Sequence, residues 1–289
     1  MSQQPEPRKE HPSTYFVQDR SNDDERKRVH LQDLMVTKRM GGVLPEQPDP
    51  TRFRRVLDVG CGTGGWLIEA AKTYPEIELL IGIDVSKHII EYAREQAVTE
   101  GVADRVEFHT MDALQYIAFP KNYFDLVNQR FGWSYLRTWD WPNLLTKYQY
   151  VSRRGGIIRV TEGATFELST SPAFTQLSEM GFEAFYRAGH FFTHDRQGFA
   201  NTLPTLFRNH GIKDVQACST LFEYRAGSEM MESLVDNVKL GFRTALPFFR
   251  KWGHVPDNYE ELYQQAIEEI QQPDCLTTGK LVTVWGTWS

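Results

Sequence analysis

Between Arg55 and about residue 161, short apolar runs alternate with longer stretches in which apolar positions recur every three or four residues. The runs near 55–60, 78–84, 105–110, 123–129 and 156–161 predict strands. The stretches near 64–74, 86–100 and 140–152 predict helices, and Gly155-Gly156 turns the chain into the fifth strand. Strands that alternate with crossover helices predict a parallel sheet covered on both faces. Upstream, Val29, Leu34, Met35 and Met40 recur at helical spacing within residues 22–40. Ser21 or Asn22 is placed to cap that helix, Gly41-Gly42 to stop it, and Pro45 to Pro50 reads as a linker. Residues 1–13, rich in Gln, Pro and charge, read as a disordered tail.

Regularity breaks after Glu162. Ser171-Pro172 opens a helix with proline at its first position, which carries Phe174, Leu177, Phe182 and Phe185 as far as Gly189. A second helix is predicted over 195–210, a strand over 214–224, and a helix over 228–245 that is disturbed at Pro247. Asp257 and Glu260 have capping-box spacing, and Leu281 to Trp288 reads as a last strand. The expected organisation is a tail (1–13), a helical lid with its linker (14–50) and one α/β domain (51–289). That domain carries a cap insertion near 164–212 and an extra helix near 228–250.

Composition narrows the functional classes. A chain of 289 residues fits one enlarged α/β domain. Its net charge of −6 argues against broad binding to nucleic acid or an anionic membrane. Arg26-Lys27-Arg28 and the arginines of Arg52-Phe53-Arg54-Arg55 read as solvated faces. Cys61, Cys218 and Cys275 lie far apart without metal-ligand spacing, so neither a disulfide framework nor a metal site is expected. A reducing cytoplasm is the default compartment. No apolar run reaches the roughly 18 residues of a membrane span, and the N-terminus lacks a secretory apolar region.

The chemistry concentrates in Arg55-Val56-Leu57-Asp58-Val59-Gly60-Cys61-Gly62-Thr63-Gly64-Gly65-Trp66, a strand, a glycine loop and a helix start. The glycines alone are ambiguous: Gly60, Gly62 and Gly64 give G-x-G-x-G, while Gly60, Gly62 and Gly65 give the G-x-G-x-x-G of dinucleotide sites. Asp58 separates the two readings. A pyrophosphate needs no acid there, whereas a cationic ligand with an amino group does. Asp84 ends the second strand, where a carboxylate accepts two ribose hydroxyls or caps the next helix. Ser86 is placed to cap instead.

Together these residues resemble the first motif of class I S-adenosylmethionine (SAM)-dependent methyltransferases, and the resemblance extends over about residues 52–289. It implies a doubly wound, mostly parallel seven-stranded sheet, whose last strand inserts antiparallel between the fifth and sixth. A helical lid and a cap insertion complete that architecture. It further implies SAM as cofactor. The backbone of Gly60, Cys61, Gly62 and Gly64 would face its methionine part, Asp58 its ammonium and Asp84 its ribose. Asp112 and Ala113 would meet the adenine, flanked by Val85 and Met111. Tyr15 and Gln32 would close over the cofactor. Gln129, first among Asn128, Gln129 and Arg130, would face the sulfonium. Arg130, Trp133, Tyr135 and Tyr186 are the substrate candidates. His190, His194 and Glu162 are the candidate bases, should the acceptor need one. The usual Lys-Pro-Gly-Gly before the fifth strand appears as Arg153-Arg154-Gly155-Gly156, a departure that affects a turn.

The expected reaction moves the SAM methyl group to an O, N or C nucleophile of a small, apolar or aromatic metabolite, because the cap is rich in aromatic residues. No Asn-Pro-Pro-Tyr follows the fourth strand, which with the acidic charge argues against a macromolecular acceptor. A noncatalytic SAM-binding partner protein, a macromolecule methyltransferase and, last, an NAD(P)-dependent oxidoreductase stay open as alternatives. Association of copies through the N-terminal or cap helices is also left open.

Overall fold

The computed structural model describes residue 30 and residues 33–196 and 198–289. Helical residues 33–39 form α1. Then follow β1 (Arg55–Val59), α2 (Gly65–Thr73), β2 (Leu79–Asp84), α3 (Lys87–Thr99), β3 (Val106–Thr110), β4 (Phe124–Arg130) and α4 (Trp141–Val151). After them come β5 (Ser152–Ser169), α5 (Pro172–Arg187), α6 (Gly198–Asn209) and β6 (Lys213–Arg225). The chain continues through α7 (Glu229–Thr244), α8 (Leu246–Trp252), α9 (Tyr259–Ile270) and β7 (Leu276–Trp288). The strands make one sheet in the order β3-β2-β1-β4-β5-β7-β6. β1 to β5 pair in parallel, and β7 runs antiparallel to both β5 and β6. The predicted fold class is therefore the observed one.

Strand alternation divides the core. Val56, Leu80 and Leu126 point to one face, where Trp66, Leu67 and Ala70 of α2 and Ile90 and Ala93 of α3 bury them. Leu57, Val59, Ile83 and Val127 point to the other, against α4 and the helices after β5. Ser171 caps α5 by accepting the Phe174 amide at 3.0 Å, as its Ser-Pro start predicts. Pro247 lies in the first turn of α8 and divides the predicted 228–250 helix in two. Asn258, not Asp257, precedes α9, so the capping box does not form.

One difference matters for the site. β5 continues to Ser169, eight residues past its predicted end at 161, and pairs with β7 as far as Ser169–Thr277. β6 and β7 extend alongside it. Register shifts at Gly163/Thr165 and Thr165/Leu168 interrupt the period of two. Bulges of that kind erase the alternation by which a strand is recognised. No helix among the described residues is long and apolar enough to cross a membrane.

Candidate functional site

The loop after β1 is built on three glycines with left-handed backbone: Gly60 (φ 69), Gly62 (φ 52) and Gly64 (φ 79). The amides of Gly60 and Cys61 both donate to the Ile83 carbonyl, at 2.8 and 3.0 Å, and fold the loop over the end of β2. A Cβ on Gly60 would lie 2.6 Å from the Tyr135 hydroxyl, so bare backbone is required there. The Cys61 side chain turns inward toward Gly82, and burial pushes its thiol up. Only the backbone of Cys61 is offered to a ligand.

Asp84 ends β2 and accepts from the Gly62 amide at 3.3 Å and the Ser86 amide at 2.9 Å. Ser86 caps α3, accepting from the Ile89 amide at 3.4 Å. The capping duty thus falls to Ser86, and Asp84 joins the glycine loop to the strand end. Val85 beside it is 48% exposed, an apolar side chain held at the rim. The Met111 amide donates to the Asp84 carbonyl at 2.9 Å. Asp112 closes its own turn, accepting from the Leu114 amide (2.9 Å) and from Gln115 Nε2 (2.8 Å). Ala113 gives its carbonyl to Lys147 at 2.9 Å.

Asp58 is buried at the end of β1 and accepts from Asn128 Nδ2 at 2.7 Å. Burial pushes its carboxyl up to about 7, against the opposing pull of the Asn128 hydrogen bond and Arg159. The sheet register sets Asp58 opposite Asn128 and Asn128 opposite Arg159. Gln129 therefore points to the other face, and it is Asn128 that stands beside Asp58. The Tyr148 hydroxyl donates to Gln129 Oε1, and Gln129 Nε2 donates to Glu162 Oε1 at 3.3 Å. Gln129 is a support for Glu162 rather than a free group at the loop.

Glu162 is the centre of this second face. Its Oε1 accepts from the Gly132 amide at 2.7 Å and its Oε2 from the Trp133 amide at 3.3 Å. Burial pushes its carboxyl up to about 8, while those two amides and Gln129 oppose the shift. The same turn, after β4, carries Tyr135, whose buried hydroxyl has no hydrogen-bond partner and lies against Gly60. Glu162, Asp58 and Asp84 all act on Tyr135 electrostatically, so the turn links the two faces.

Four expected site residues stand elsewhere. His190 is buried, with Nδ1 2.6 Å from the Trp133 carbonyl oxygen. Burial holds its imidazole down to about 3, too low for a base at neutral pH, and its bond instead secures Trp133. His194 is exposed, bonds Glu183 at 2.6 Å, and packs on Tyr186 with ring centroids 4.6 Å apart. Residues 190–194 are not helical, so the two histidines do not share a face, and His194 and Tyr186 form a surface cluster on the cap. Arg130 is buried in an ion pair with Asp33 of α1, donates to Thr37 at 3.1 Å, and so holds the N-terminal helix rather than an open substrate cavity. Trp133 packs edge-on against Phe185 at 4.7 Å. Tyr15 and Gln32 lie outside the described residues.

Sheet order, glycine loop and paired acids define a class, and comparison with known proteins agrees. Residues 56–156 match the methyltransferase domain family. An aklanonic acid methyltransferase of Streptomyces sp. (strain C5) is 33% identical over 133 residues, which are 46% of this chain and 58% of that protein. Phosphoethanolamine N-methyltransferase 3 of Arabidopsis thaliana is 28% identical over 185 residues, 64% of this chain and 33% of that protein. The chain thus spans less than two thirds of the length of these relatives. The solved phosphoethanolamine N-methyltransferase 2 of Haemonchus contortus, in complex with phosphomonomethylethanolamine and S-adenosylhomocysteine, shares the fold. Its TM-score is 0.54 at 17% identity, over 93% of this chain and 59% of that one. The chain is thus similar to the class I SAM-dependent methyltransferases, over residues 56–156 in sequence and over the sheet in fold.

The residues fit that cofactor. Gly60 leaves no room for a Cβ beside the Tyr135 hydroxyl, which is buried next to the loop without a hydrogen-bond partner. Asp58 and Asp84 stand near the ends of adjacent strands, β1 and β2, on either side of the glycine loop, and carboxylates there can accept from an ammonium and a diol.

Proposed function

We propose that this chain moves the SAM methyl group to a small, apolar or aromatic metabolite, with Glu162 as the base that takes the acceptor's proton. One observation carries this reading: Glu162 is a fully buried carboxyl held by two backbone amides at the strand ends, one turn away from the residue that touches the glycine loop. When bound, SAM supplies a methyl group on a positively charged sulfur. Asp58 and Asp84 hold the cofactor's ammonium and ribose. Gln129 and the Gly132 and Trp133 amides fix the direction of Glu162. Trp133, Phe185 and Phe191 exclude water beside it. Glu162 accepts a proton from an O–H, N–H or acidic C–H as the methyl group transfers. The relatives named above act, by name, on small molecules, which supports a small acceptor without choosing its polarity. The test is transfer from methyl-labelled SAM into a fractionated cell extract. Label in the small-molecule fraction is expected, and should fall about 100-fold or more in Glu162→Gln. Label confined to RNA or protein, or a fully active Glu162→Gln, would overturn the proposal.

A further inference from the structure

Beside Asp58 a row of buried polar side chains runs across β1, β4 and β5 on the face that α2 covers, and ends in the linker before β1. Arg159 of β5 is fully buried. Its Nε and Nη2 donate to the two oxygens of Glu46, at 2.7 and 3.2 Å. Its Nη1 donates to Asn128 Oδ1 at 2.7 Å, and Asn128 Nδ2 donates to Asp58 Oδ1 at 2.7 Å. Glu46 belongs to the linker between α1 and β1, which the Trp66 indole also ties down by donating to the Val43 carbonyl at 3.0 Å.

The row has a direction. A guanidinium has donors only, so it faces the carbonyl end of the Asn128 amide. The NH2 end is then turned to Asp58. The reverse orientation would set NH2 against guanidinium and carbonyl against carboxylate. A buried ion pair is weak support for stability, since apolar residues of similar volume often replace one at no loss. The Glu46–Arg159 pair therefore calls for another role, and no step of the proposed reaction uses it.

We propose that Glu46 and Arg159 are positioning residues for cofactor binding: they hold Asn128 with its amide nitrogen toward Asp58, so that Asp58 meets the cofactor's ammonium as an oriented carboxylate. The proposal rests on the reading of Asp58 as the partner of that ammonium. Asn128 and Arg159 from β4 and β5 and Asp84 from β2 act on Asp58, which in turn acts on Cys61 of the loop, Tyr135 of the turn after β4 and Tyr148 of α4. Arg159 is the cation among them. Without it, Asn128 is free to flip and Asp58 keeps its proton to higher pH.

Glu46→Gln/Arg159→Gln removes both charges together and leaves none buried alone. Binding of S-adenosylhomocysteine and of 5′-methylthioadenosine, which lacks the amino-acid part, is measured by calorimetry over roughly pH 6 to 9. In the double variant at neutral pH, S-adenosylhomocysteine should bind about fivefold or more weakly, with its pH midpoint moved upward. Methylthioadenosine affinity should stay at the wild-type value. Equal weakening of both ligands, or an unmoved midpoint, would reduce the pair to a structural role and sink the proposal. If the double variant does not fold, Asn128→Leu undergoes the same comparison of the two ligands, with equal weakening again the refuting result. Asp58→Asn separates the premises. If it binds both ligands as the wild type does, the reading of Asp58 is wrong. If it weakens S-adenosylhomocysteine alone while the double variant weakens neither, the positioning row is wrong.

Discussion

A general base must lose its proton before it can take another. Burial holds the Glu162 carboxyl up to about 8, so the fraction of active base rises with pH through that value. The rate constant kcat should therefore climb between about pH 6 and 9 and level off, and Glu162→Gln should lack the climb. A rate profile flat over that range in the wild type would count against Glu162. Asp84 makes a second case. Asp84→Ala should lower affinity for S-adenosylhomocysteine about tenfold or more, by loss of charge-assisted hydrogen bonds of about 1.5–3 kcal/mol each. Calorimetry on the folded variant checks it, and unchanged affinity would make Asp84 a structural acceptor for the Gly62 and Ser86 amides. At Gly60, alanine must meet both a φ of 69 and the Tyr135 hydroxyl. Gly60→Ala should bind the cofactor poorly while circular dichroism still reports a folded sheet.

The elements differ in what holds them. α1 is fixed by a buried cation: Arg130 pairs with Asp33 and lies 5.9 Å from the Trp66 ring. The Lys38–Glu229 pair, exposed at both ends, contributes little by comparison. Asp33→Ala would leave Arg130 buried without its carboxylate and should cost about 3 kcal/mol in denaturant unfolding. A loss below roughly 1 kcal/mol would mean that the helix is held by other contacts. Legibility in the sequence follows the same division. The first four strands and the loop were readable because apolar runs, glycines and acids lie close together in the chain. Asp58, Asp84 and Ser86 were readable for the same reason. Asn128 was ranked behind Gln129 because register across β1, β4 and β5 decides which residue stands beside Asp58, and no local pattern records it. Arg130 was misread because its partner lies 97 positions away. The stretch of β5 beyond 161 was hidden by its bulges, whereas β6 was read to within one residue at each end. The partners that distinguish Glu162, His190 and His194 lie on other elements, out of reach of a local pattern.

On the scale of the molecule, burial of two acids couples the site to overall stability. Asp58 and Glu162 are both raised, to about 7 and about 8. The folded chain therefore binds more protons than the unfolded chain between roughly pH 4 and 8. The stability these groups contribute is full below about pH 4 and is lost as pH rises through those two folded values. Thermal unfolding should show a falling midpoint from about pH 5 to 9, and Asp58→Asn/Glu162→Gln should flatten the slope. An identical slope in that double variant would show that other groups govern it.

β7 lies between β5 and β6 and is antiparallel to both, yet it is the last strand in the sequence. On the ribosome, β5 and β6 emerge long before their shared neighbour. Through that interval the nascent chain presents the long edge of β5 unpaired, and β6 has no ladder to join. Edges of that kind pair readily with other chains. β5 can join β4 as it emerges, but its other edge and all of β6 stay without a partner until β7 is made, whereas the glycine loop and Asp58 depend on contacts nearer in sequence. A product cut short before Leu276 would carry the glycine loop and Asp58 but leave the edge of β5 beside Glu162 unpaired and open to other chains.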